Sequence, residues 1–196
     1  MYKGITTSKE EVKDILIAWI AIAFVIAISF TGLNDGFFVG LVISLFTVGI
    51  AFVVHELSHK VVAQRMGYSA EFKKSTPMLV VSLILSFLGT VFVAPGAVVI
   101  EGLGITNSEN GKISLAGPLS NLIMGFIAII ASFFVPAGGF SGILVLFAFV
   151  NCIIGLFNMI PFWVLDGKKV FSWDKKVYVG VLIMFFVLYG IIKFSM

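Results

Sequence analysis

Charge is scarce in this chain. Only 12% of its 196 residues are charged while 60% are hydrophobic, and its mean hydropathy is +1.14. Soluble domains carry roughly twice that share of charge, and a chain this apolar lacks the polar surface to cover a water-soluble core. Cysteine is nearly lacking as well. The single Cys152 lies in an apolar run without an intrachain partner, which excludes a disulfide scaffold and leaves a small packing residue. Fixed-period repeats and low-complexity tracts are absent, which excludes solenoids and disordered arrays. The formal charge of +3 and pI near 9.0 do not point to nucleic acid, because Lys and Arg fall in short clusters between apolar segments. Such clusters suit loops facing anionic membrane lipid.

What is present is a series of apolar runs: Ile15 to Phe30, Phe37 to about Met66, Met78 to Ala94, Ile113 to Val135, Phe140 to about Leu165, and Val177 to Phe194. Most approach the roughly 20 residues that carry a helix across a bilayer. The fold class expected is an all-α polytopic membrane protein with about six hydrophobic segments, five of them clear. The chain 1–196 reads as a single membrane domain, with a core of about 37–167 and peripheral helices of about 15–30 and 177–194. The basic lead of Lys3, Lys9 and Lys13 resembles the start of a signal peptide. No small-x-small site follows the first run, however, so a retained first membrane helix is expected.

Positive charge sets the expected orientation. Lys3, Lys9 and Lys13 place the amino terminus in the cytoplasm, and Thr31 to Gly36 form an outer loop without Lys or Arg. The second run then emerges inward near Lys60, Arg65, Lys73 and Lys74, with Gly67 as a helix terminator. Lys168, Lys169, Lys175 and Lys176 mark another inner loop, so the uncharged Pro136 to Gly142 is external. Both His59 and Ile113 then lie on the inner side, yet only Met78 to Ala94 is available between them. That run is expected to be re-entrant, interfacial or otherwise non-crossing, and Phe92 to Ile100, β-branched and broken by Pro95-Gly96, to form a short hairpin or extended edge.

The chain has two histidines, and they stand four apart in His55-Glu56-Leu57-Ser58-His59. On a helix this spacing directs both imidazoles at one metal ion and sets the Glu56 carboxylate beside the remaining coordination position, as a general base. Two imidazoles and a carboxylate in an apolar segment are costly without a function or partners. A hydrolytic zinc needs a third ligand. Asp14 and Asp35 flank the first run, Glu101 and Glu109 lie in a Gly/Asn-rich loop, and Glu71 and Asp174 neighbour lysines. Asp166 remains, at the inner level already assigned to His55 and His59, with Pro161 to break the helix and Gly167 to permit a sharp turn. A paired interfacial role for Asp166 with Lys168 or Lys169 is the alternative.

With these residues in place the chain resembles the site-2 protease family of intramembrane zinc metalloproteases. The family's His-Glu-x-x-His and Asn-x-x-Pro-x-x-x-Leu-Asp-Gly signatures match His55 to His59 and Asn158 to Gly167, and Ala116-Gly117-Pro118-Leu119-Ser120-Asn121 matches a third. The resemblance covers roughly Phe37 to Gly167. It implies one zinc ion per chain held by His55, His59 and Asp166, Glu56 as general base, Asn158 as a substrate-binding residue, and transmembrane proteins as substrates. It implies close helix packing for Gly117 and Asn121, and a β-like re-entrant element after the zinc helix. No PDZ module or paired nucleotide-binding module fits in the remaining residues, so regulation by such a domain is not expected. A metal transporter or channel, a catalytically inactive helix-binding scaffold, and a zinc protease of another family stay as alternatives. The last should use a downstream Glu, and none follows Glu109.

Overall fold

A computed structural model describes residues 4–90 and 95–196. Lys3 of the basic lead and Phe92 to Ala94 of the expected hairpin lie outside the described residues. The elements run α1 (Lys9–Thr31), α2 (Phe37–Ser44), a π-helical turn (Leu45–Gly49), α3 (Ile50–Arg65), β1 (Ser69–Lys74), α4 (Thr76–Phe87), β2 (Gly96–Glu101), α5 (Asn107–Ser132), α6 (Gly139–Asn158), α7 (Asp166–Trp173) and α8 (Lys175–Ser195). Among the described residues five helices are long and apolar enough to cross a membrane: α1, the continuous Phe37–Arg65, α5, α6 and α8. The protein is an all-α polytopic membrane protein with one small sheet.

The described part of Met78 to Ala94 lies in and just after one short helix, α4. At about 1.5 Å per residue, the 12 residues of α4 reach about 18 Å, short of a hydrocarbon core of about 30 Å. Its surface is inside out: Met78, Val80, Ile84 and Phe87 are exposed while Ser82 and Ser86 are buried. The buried serines return their hydroxyls to the Met78 and Leu83 carbonyls. The excursion closes at its neck, where Ser75 N–H donates to the Pro95 carbonyl at 2.8 Å. Beyond the neck β1 and β2 pair antiparallel from Lys74↔Gly96 to Ser69↔Glu101. Of the short hairpin or extended edge expected over Phe92 to Ile100, the described residues hold an extended strand, β2. Pro95 precedes β2, whose partner β1 follows α3 and carries too many polar residues to read as a strand.

The main core joins α5, α6 and α8 through Leu122, Ile129, Ala148, Cys152, Phe185 and Leu188, with the lone cysteine fully buried rather than facing lipid. Gly155 lets the Phe185 ring lie on the α6 backbone, where any side chain would collide with it. On the other side α1 packs against α2 through Phe24, Ala27, Ile28 and Phe37. The π turn sits where α1 crosses the second span. Gly49 leaves room for the Trp19 indole, and Trp19 Nε1–H donates to the Leu45 carbonyl at 2.9 Å. Widened turns tilt carbonyls off the helix axis and often stand beside functional sites; this one immediately precedes α3. Trp19→Phe removes the only side-chain donor to Leu45 among the described residues. It should cost about 1–3 kcal/mol, read as a lowered thermal midpoint in detergent, and an unchanged midpoint would contradict this role for the indole.

Candidate metal centre

Helix α3 places His55 and His59 one turn apart on the face that meets α5. Both rings are buried, at 2% and 8% exposure. Each ring is fixed through Nδ1. His55 Nδ1 lies 2.6 Å from Asn121 Oδ1, and His59 Nδ1 lies 2.7 Å from the Ile113 carbonyl. Both oxygens can only accept, so both Nδ1 atoms carry the proton and both Nε2 atoms present lone pairs. The Asn121 orientation is itself determined, because its Nδ2 donates to the Ala51 carbonyl at 3.1 Å and to Asn151 Oδ1 at 2.9 Å. Asn151 in turn donates to the Phe147 carbonyl. Pro118 has no N–H for the Ser114 carbonyl, so a rung of α5 is missing beside the Ile113 carbonyl that His59 uses.

The third group arrives from a separate element. Pro161 ends the α6 region as expected, and after an irregular segment Asp166 opens the short helix α7. Gly167 does not make a sharp turn. Its φ is not positive, and the bare α-carbon lets α7 lie on Met159, whose α-carbon an added Cβ would approach to 2.8 Å. Tyr178 from α8 donates to the same Met159 carbonyl at 3.0 Å. At its far end α7 is held by Trp173, which packs on Gly111 of α5, and by Asn107 Nδ2, which donates to the Ser172 carbonyl. These contacts bring Asp166 Oδ2 to 3.3 Å from His55 Nε2 and 3.2 Å from His59 Nε2, with the two nitrogens 3.1 Å apart.

Three lone-pair donors thus converge in a near-equilateral triangle with no proton of their own to share, an arrangement that calls for a cation. Tetrahedral zinc with ligands at about 2.0–2.1 Å separates them by about 3.3 Å, so the observed spacing fits. A magnesium or calcium site would be expected to use oxygen donors throughout. Gly117 forms the floor: a Cβ there would lie 2.6 Å from His55 Nε2 and closer still to His59.

The structure brings His55, His59 and Asp166 together. Glu56 is half-buried and accepts the Val98 N–H of β2 at 3.2 Å, tying its carboxylate to the sheet. Asn158 is half-buried at the end of α6 and donates to the Ile154 carbonyl of its own helix, not to the cluster. Gly117 and Asn121 do pack closely, as expected, but against the imidazoles themselves. Asn151 is a buried member of the site that the sequence motifs do not include. Its signal was a lone carboxamide in the middle of an apolar helix, costly there without a partner.

A polytopic helical membrane protein with a buried two-histidine, one-carboxylate cluster is the class that fold and site define. The chain is 37% identical over 186 residues to a protein of Methanocaldococcus jannaschii that carries the name "Putative zinc metalloprotease", a match covering 93% of this chain and 95% of that protein. The chain belongs to the family of that protein. No protein-family model and no solved structure matches it. Asn121→Ala frees the His55 ring and strands the Asn151 carboxamide. It should weaken zinc binding by about 10–100-fold in a chelator competition without loss of the fold, and an unchanged affinity would contradict the assigned orientation.

Proposed function

We propose that this protein is an intramembrane zinc metalloprotease of the site-2 protease type, hydrolysing peptide bonds within or near transmembrane segments of other membrane proteins. The observation that carries the proposal is the convergence of His55, His59 and Asp166 in an apolar protein, with Glu56 on the same helix as the two histidines. The name of the Methanocaldococcus jannaschii relative supports zinc and proteolysis. His55, His59 and Asp166 would hold one zinc ion per chain. Bound there, zinc supplies a Lewis acid that polarises a carbonyl and brings the pKa of water toward about 7.

Glu56 takes the proton of the attacking water and delivers it to the leaving amine. The Val98 N–H fixes the carboxylate during both transfers. A transmembrane substrate must first unwind, because a helix keeps its carbonyls engaged, and β2 offers a place for the extended chain. Val98 and Phe72 face each other across the sheet, yet the Phe72 N–H goes to Glu11 and the Val98 N–H to Glu56. They are therefore a non-hydrogen-bonded pair, with backbone groups turned to the outer edges. α1 covers the β1 edge, and the β2 edge runs beside Glu56. A substrate strand added there would be carried past the metal, with the Asn158 carboxamide as a further backbone partner. The basic clusters that flank the spans support a cytoplasmic amino terminus and a site near the cytoplasmic face, from which water would enter.

Glu56→Gln tests the reading. With a helix-destabilised model transmembrane substrate in detergent, the variant should lose at least about 100-fold in cleavage rate while retaining one zinc per chain, and a chelator should abolish wild-type cleavage. Cleavage that survives either treatment would sink the assignment, and zinc flux through proteoliposomes without cleavage would replace it with transport.

A further inference from the structure

Lys60 is expected, from its place beside the zinc helix terminus, to help mark the cytoplasmic end of its span. The structure does not leave it facing lipid or water. Its side chain is 1% exposed, and Nζ donates to Thr7 Oγ1 at 2.9 Å and to Glu11 Oε2, whose side chain is 0% exposed. The other Glu11 oxygen accepts the Phe72 N–H of β1 at 3.0 Å. A buried ion pair gains little over apolar residues of the same volume, so stability alone is a poor reason for this pair.

Position supplies a better one. Lys60 follows Glu56 by four residues, the spacing and order in which a helical Glu and Lys pair with each other. Among the described residues Glu56 instead accepts a neutral amide, that of Val98, at 3.2 Å. In a poorly hydrated site an unpaired ammonium one turn away would outcompete that amide for the carboxylate. We propose that Glu11 is a positioning residue that sequesters the Lys60 ammonium and so keeps the Glu56 carboxylate on Val98 and free for proton transfer. The catalytic half of this statement rests on the reading of Glu56 as general base. The first helix thereby acts on the site without touching it.

The pair can be broken from either side, and the two sides give different results. Glu11→Gln keeps an acceptor for the Phe72 N–H but releases the ammonium; Lys60→Met removes the ammonium. In full-length protein, Glu11→Gln should raise hydrogen exchange at the Val98 amide and lower kcat, each by at least about tenfold. Zinc content should not change. Lys60→Met and the double variant should stay within about threefold of wild type in both readouts. Equal effects of Glu11→Gln and Lys60→Met would reduce the pair to a structural contact and overturn the proposal, as would unchanged exchange in Glu11→Gln. Should Glu11→Gln not fold, Glu11→Asp shortens the reach to Lys60 and must show the same asymmetry. Hydrogen exchange needs no substrate. The exchange pattern without any wild-type cleavage would therefore remove the protease reading and leave the sequestration standing.

Discussion

Three lone pairs aimed at one point inside an apolar protein are the constraint to which the rest of this structure answers. His55 Nε2, His59 Nε2 and Asp166 Oδ2 stand 3.1–3.3 Å apart, with each imidazole proton committed on the opposite side of its ring. Without a cation such a cluster is repulsive, and burial makes it more so. The protein holds it open with rigid means. Asn121 and Asn151 fix one ring across three helices, a backbone carbonyl beside Pro118 fixes the other, and the bare α-carbon of Gly117 leaves the space they occupy. The short helix α7 delivers the carboxylate, and Gly167 sets how closely it can approach.

The second layer of the design is the sheet. Two strands of 6 residues each are marginal alone, and here each outer edge is addressed by a carboxylate: Glu11 and Asp14 from α1 on β1, Glu56 from α3 on β2. The sheet therefore ties the first helix to α3 through backbone hydrogen bonds. It also anchors the segment that holds α4, through the Ser75 to Pro95 hydrogen bond at its neck.

Much of this was legible in the sequence, for physical reasons that can be named. Hydropathy shows the five candidate spans because length and apolarity are all that a span requires. The ligand cluster was legible because a scarce residue type in a costly place has few explanations: two histidines in total, and one carboxylate at their depth. The rest was hidden by pairing. β1, Ser69–Lys74, looks like a polar loop because the partners of its Lys74 side chain and of the Phe72 and Lys74 N–H groups lie on α1, far away in sequence. Lys60 resembles a terminal membrane anchor because nothing local reveals that Glu11, 49 residues earlier, will bury it. Gly167 suggests a turn when read alone, and only the proximity of Met159 shows that it is there for want of a side chain.

The central claim is that His55, His59 and Asp166 together hold a zinc ion. Zinc K-edge X-ray absorption on the purified, zinc-loaded protein reads the ligand set directly. The account predicts one zinc per chain with two imidazole nitrogens and low-coordinate oxygen at about 2.0–2.2 Å, and loss of the oxygen shell's carboxylate component in Asp166→Ala. A six-coordinate oxygen shell, or a spectrum indifferent to replacement of His55 or His59, would contradict it.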